Sequence, residues 1–289
     1  MFKIFTDTSA NLPMDLMNKY DVEEVPLHYT VNNEEFPKSD GETQTDFDGK
    51  MFYDAMRNGA EVITHMINIS AFTEAFEKYL SKGIDVIYIG MSSGLSGTYH
   101  AALKAAEELK EKYIQRKIAT IDTLAASLGE GLPVLFAAKL KDAGKTFEET
   151  VLLTEQNSKS MCQYFTVEDL RYLKKGGRIS GAVAILGNML QIKPILKGDE
   201  AGMIVLDHNE RGRKKALDAL VKKYQELVSD LFEPIGIAHG DSETDADYVA
   251  KRIRDGGHQG EVLINCYEPV TGSHVGPGTV ALFFYGIHR

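Results

Sequence analysis

The chain has 289 residues, 42 of them acidic and 32 basic, for a formal net charge of -10. That balance excludes nucleic acid as a partner and limits membrane contact to a transient kind, because both surfaces are met by basic patches. The length allows two ordinary domains, each with its own core. The two cysteines, Cys162 and Cys266, are too few for a disulfide framework and lack CxxC spacing, which fits a reducing cytosol.

The opening run MFKIFTDTSANLP is apolar over too short a stretch for a signal peptide, so a cytoplasmic location is expected. Asn11 is placed to cap a helix with Pro13 in its first turn. VEEVPLHYTV, DVIYIGMS and KIATID are rich in β-branched and apolar residues and read as strands, whereas TYHAALKAAEELKEKY reads as a helix. Alternation of this kind predicts an α/β fold whose N-terminal parallel sheet is flanked by helices. DAGKT resembles the end of a phosphate-binding loop, but Lys139 stands where the first glycine is required. Gly144 is therefore expected to end the helix LPVLFAAKLKDAG, and Thr146 with Glu149 to form a capping box for TFEETVLLTEQNSKS. The polar end of that helix places a boundary near 158–162, dividing the chain into an N-terminal α/β domain, 1–160, and a second α/β domain, 161–289.

In the second half MCQYFTV, GMIVLDH, PIGIAHG, EVLINCYEP and TVALFFYG read as strands. EDLRYLKKGG, RGRKKALDALVKKYQELVSD and TDADYVAKRIRDGG read as helices. SGAVAILGNML reads as an apolar helix, too interrupted by Asn188, Gln191, Lys193 and Pro194 in its continuation to span a membrane. Strand order in this half does not follow from spacing.

MSSGLSGTYH follows a predicted strand and opens a predicted helix, the place where backbone amides and hydroxyls meet an anion. Ser92, Ser93 or Ser96 as a plain cap explains one serine; three serines with Gly94 and Gly97 point to an oxyanion. A GxSxG nucleophile elbow is not formed, since those glycines are three apart rather than four. The eight histidines include no HExxH, so no metal site is expected. In YLKKGGRISG, Lys174 and Lys175 complement a helix dipole, while Arg178 lies past the helix beside the apolar segment ISGAVAILGNMLQI. That segment is either core or the wall of a pocket for an amphiphile. GSHVGPG sets His274 among three glycines, either as a turn histidine satisfied locally or as a donor to a carboxylate that a small-residue loop lets approach.

The stretches TDTSANLP, SSGLSGTYHAA, IDTLAASLGEG, LRYLKKGGRIS with IKPIL, and GSHVGPG occur in order from end to end, and with them the chain resembles the DegV family. The resemblance implies a two-domain α/β protein, not itself an enzyme, that binds a long-chain fatty acid between its domains. It further implies that the protein presents the carboxylate to a separate fatty acid kinase catalytic subunit, which makes acyl phosphate for phospholipid metabolism. No cofactor beyond the bound fatty acid is implied. The family's carboxylate anchors fall on Thr64, Ser93 and His274, with Ser92, Ser96, Gly276 and Arg178 also expected to bind the ligand, and Arg211 falls on an arginine used for partner contact. After Thr64 the chain reads HMIN in place of the family's Ser-Gln-Pro-Ser, which alters the wall beside the ligand. At about 0.8 kcal/mol per buried CH₂, about fourteen methylenes would gain roughly 11 kcal/mol before ordering costs. The buried carboxylate then needs hydrogen-bond donors. Two other classes compete with the carrier: a stand-alone serine hydrolase or phosphoryl-transfer enzyme, and a fatty-acid-sensing regulatory protein.

Overall fold

The computed structural model describes residues 1–37, 47–179 and 191–289. Strand β1 (Phe2–Asp7) lies inside a four-stranded, all-parallel sheet of order β2-β1-β6-β7, with β2 (Val22–Val25), β6 (Asp85–Gly90) and β7 (Ile118–Asp122). Near-continuous apolar runs such as VIYIG suit strands covered on both faces. On one face α3 (Ile69–Leu80) and α4 (Thr98–Lys112) bring Phe72, Phe76, Ala102 and Ala105 into one core with Phe5, Val86 and Tyr88. On the other lies α5 (Leu128–Asp142), followed by α6 (Phe147–Ser158), whose Thr146–Glu149 capping box is present.

A second, six-stranded sheet has the order β10-β9-β8-β13-β11-β12. It comprises β8 (Met161–Thr166), β9 (Ile192–Gly198), β10 (Ile204–Arg211), β11 (Ile235–His239), β12 (Val262–Cys266) and β13 (Val280–Tyr285). Only β11 and β12 pair in parallel; the other neighbours are antiparallel. Helices α8 (Arg213–Leu227) and α9 (Glu243–Asp255) cover one face, with Leu220 and Val249 packed among Ile237, Leu282 and Phe284. The opposite face turns Met161, Phe165 and Phe283 toward α5. Helix α5 is thus buried between two sheets, as an apolar helix must be. It begins at Leu128, ahead of the Leu132 start expected from the sequence, with Pro133 inside the helix.

A small antiparallel sheet, β4-β3-β5, projects from the first half: β3 (His28–Val31), β4 (Glu34–Phe36) and β5 (Val62–His65). The expected single strand VEEVPLHYTV is therefore two strands in different sheets, broken where Pro26 has no amide hydrogen to give a ladder. Asn11 also departs from expectation. It closes the 3₁₀ turn Thr8–Ala10 in the left-handed region at φ 54°, and α1 (Met14–Lys19) starts after Pro13 with no side-chain cap. The Asn11 side chain instead ties distant segments together: Nδ2 donates to Ser127 Oγ at 3.2 Å, and Oδ1 accepts the Glu268 amide at 3.1 Å. The expected helix at 180–190 lies outside the described residues.

Candidate functional site

His274 belongs to a helix, α10 (Pro269–Val275), and not to the loop expected from its glycines. The helix forms because Pro269 is pre-set for the first position and Glu268 caps it, accepting the amides of Val270 at 2.5 Å and Thr271 at 2.6 Å. Burial pushes the Glu268 carboxyl up to about 7. Two of the glycines are closely packed by aromatic side chains of the protein itself. A Cβ on Gly272 would stand 2.1 Å from the Tyr53 hydroxyl, and Gly276, at φ 82°, lies against the Tyr172 ring. Gly276, expected to touch ligand, is not part of the cavity wall described below.

Thr64, on β5, and His274 come together from opposite ends of the sequence, with Oγ1 and Nε2 3.0 Å apart. Burial, and then the nearby Arg178 guanidinium, lower the His274 pKa to about 4, so the ring is neutral at physiological pH. Arg178 follows α7 (Arg171–Gly176) after a left-handed Gly177, and donates Nε to the Leu95 carbonyl at 3.1 Å and Nη1 to the Gly176 carbonyl at 2.5 Å. These bonds hold it across the gap between the β6–α4 turn and α7. Gly176 makes the arrangement possible, since a Cβ there would lie 2.3 Å from His274 Nδ1.

Thr64, Arg178 and His274 share two cavities. Inward, a cavity of about 260 Å³ runs between the sheets, walled by Met91, Leu95, Phe165, Ile204, Val270 and Phe283. Outward, a depression of about 250 Å³ is lined by Tyr172, Lys175 and Ser273. The three polar residues therefore stand where an apolar chamber meets an outer surface.

The turn serines divide their work. Ser96 lies on the wall of the inner cavity, its hydroxyl donating to Thr98 Oγ1 at 2.9 Å. Ser92 is buried and donates to the Gly202 carbonyl at 2.9 Å, joining the first half to the β9–β10 hairpin. Ser93 is not on the cavity wall; its amide donates to Asp122 Oδ1 at 3.2 Å. Arg211 is exposed at the end of β10, paired in register with Ile192, and is not on the cavity wall. Among the described residues no carboxylate bonds His274 and no turn serine contacts it, so a serine–histidine–acid relay is not assembled. Among the described residues no cluster suited to a metal ion is present, and no helix is long and apolar enough to cross a membrane.

Sequence reasoning missed Gly176 and Glu268. The glycine pair in KKGG was legible only as a helix stop. Glu268 before Pro269 is a readable cap signal that the glycine content of GSHVGPG masks.

The profile of the DegV family, described as an uncharacterised protein family, matches residues 1–286. A DegV domain-containing protein of Clostridium perfringens is 40% identical over 289 residues, spanning 99% of this chain and 97% of the relative. A DegV family protein from Thermus thermophilus, described for its fatty acid binding, superposes with a TM-score of 0.86 at 28% identity, covering 99% of both chains. A DegV lipid-binding protein from Thermotoga maritima gives 0.84 at 28% identity over the full length of both.

Proposed function

The chain belongs to the DegV family, and from that premise we propose that it is a carrier, without catalysis of its own, for a long-chain fatty acid. The acyl chain occupies the inner cavity between an N-terminal domain, 1–160, and a second domain, 161–289. Thr64 and neutral His274 donate hydrogen bonds to the carboxylate, Arg178 supplies the compensating charge, and Ser96 lines the approach. Ser92, Ser93 and Gly276 shape the surrounding turns. The carboxylate then faces the outer depression, where a separate kinase subunit phosphorylates it, with exposed Arg211 contributing to that contact. The observation that carries this reading is the position of the Thr64–His274 pair, shared by an apolar chamber and an outer opening. A buried carboxylate demands such donors, and a neutral imidazole provides one without adding a second charge.

The test is native mass spectrometry of the purified protein, then of delipidated protein offered long-chain fatty acids. Wild type is expected to carry one acyl chain, Thr64→Val and His274→Ala to bind at least tenfold more weakly, and Arg211→Ala to bind normally yet be a poor substrate for the kinase. A wild-type protein that comes empty and refuses added fatty acid ends the proposal.

A further inference from the structure

Leu27 borders two separate cavities. It sits on the link between β2 and β3, only 3% exposed, with its amide donating to Thr8 Oγ1 at 3.0 Å. Its side chain lines the inner cavity that carries Thr64 and His274. It also lines a second cavity, of about 550 Å³, whose other described walls are aromatic and apolar at Tyr29, Phe36, Met51 and Phe52 and acidic at Glu24 and Asp48. Pro269 and Val270, adjacent in α10, continue the division, one facing each space. The smaller space is the one with the polar anchors, and the larger aromatic one has no ligand in the reading above.

We propose that Leu27 determines acyl-chain length: its isobutyl group is the removable part of the wall between the anchored cavity and the second one. An acyl tail that fits the first cavity stops at Leu27, and a longer tail is excluded from the aromatic part of the second cavity, which Tyr29 and Phe52 line beyond it. The inference rests on the fatty acid reading and adds to it the residue that sets the upper limit of the ligand. The neighbouring wall is less suited to the role, because Pro269 and Val270 are held by the Glu268 cap and cannot yield without moving the helix that carries His274.

Affinity is measured for saturated fatty acids from about ten to about twenty-two carbons by displacement of a fluorescent fatty acid, on delipidated wild type, Leu27→Ala and Leu27→Phe. At about 0.8 kcal/mol per buried CH₂, affinity should rise roughly fourfold per methylene until the cavity is filled, and then level off. Leu27→Ala should move that plateau to chains longer by about two carbons or more, and Leu27→Phe should move it to shorter ones. The opposite directions keep the test meaningful should one variant fold poorly, and circular dichroism checks each fold. Plateaus at one chain length in wild type and in every folded variant overturn the role of Leu27 while leaving fatty acid binding intact. Absence of binding in wild type overturns both readings together.

Discussion

The neutral state of His274 can be tested through the pH dependence of folding. Burial, followed by the Arg178 charge, takes the imidazole from its ordinary 6.5 to about 4. The unfolded chain therefore binds a proton between these values that the folded chain refuses, and stability rises with pH across that window. At pH 5 the unfolded imidazole is almost fully protonated and the folded one almost neutral, a linkage worth about 2 kcal/mol; at pH 7.5 it is close to zero. The perturbation is His274→Asn, which keeps a polar group of modest size but cannot titrate. Urea unfolding of ligand-free wild type and variant at pH 5, 6 and 7.5 isolates the contribution, because every other titrating group is common to both. Wild type should lose about 2 kcal/mol more than the variant between pH 7.5 and pH 5. Parallel profiles, agreeing within about 0.5 kcal/mol, would refute a buried neutral imidazole and with it the claim that His274 meets the ligand as an uncharged donor.

Gly176→Ala should weaken fatty acid binding about tenfold or more while shifting the unfolding midpoint little, since the new methyl meets the His274 ring 2.3 Å away and the ring is the part that can move; normal binding would show that the imidazole position does not matter. Glu130→Gln should flatten a loss of stability that sets in as pH rises above the ordinary carboxyl range. Ser9 Oγ lies 2.5 Å from Asp7 Oδ1 and 2.6 Å from Glu130 Oε2, and one hydroxyl hydrogen serves only one of them, so the buried pair retains a proton. Both carboxyl pKa values are raised by burial, so the folded state holds that proton above the pH at which the unfolded chain has lost it, and stability falls as pH rises, by up to about 1.4 kcal/mol per unit. The glutamine amide donates at every pH; identical slopes for wild type and variant in urea unfolding between pH 6 and 8 would contradict a shared proton.

Much of the architecture was legible because local signals and tertiary demands agreed. The Thr146–Glu149 capping box, the Gly144 stop and the buried strands around Val86 and Ile118 each follow from residue types that have one good place to go. The misreadings share a different cause. Asn11 carries every local mark of a helix cap, yet its side chain is used by Ser127 and Glu268, more than a hundred residues away. GSHVGPG reads as a small-residue loop from composition, yet Gly272 is small because Tyr53 presses on it, and Gly272 to Val275 are helical because Glu268 caps their helix. Serines 92, 93 and 96 are equivalent by type, and only the fold separates the one on the cavity wall from the one that bonds Gly202. Long-range partners decide these positions, and a single sequence does not display them.

The proposed carboxylate site combines donors of mixed kinds, and its charge gives a reason. Arg178 is the only permanently charged residue on the described wall of the inner cavity, and His274 is held neutral partly by that same charge. A carboxylate entering beside them meets one positive charge and two uncharged donors, so the filled site is close to electrically balanced. A protonated imidazole would leave an excess positive charge in an apolar chamber, at a cost that grows as water leaves. An uncharged alcohol or ester of the same chain would leave Arg178 without a counter-charge, which disfavours both relative to the acid. On the carrier reading proposed above, this wall favours an ionised head group, and a reacting partner would approach it through the depression that Lys175 and Ser273 line.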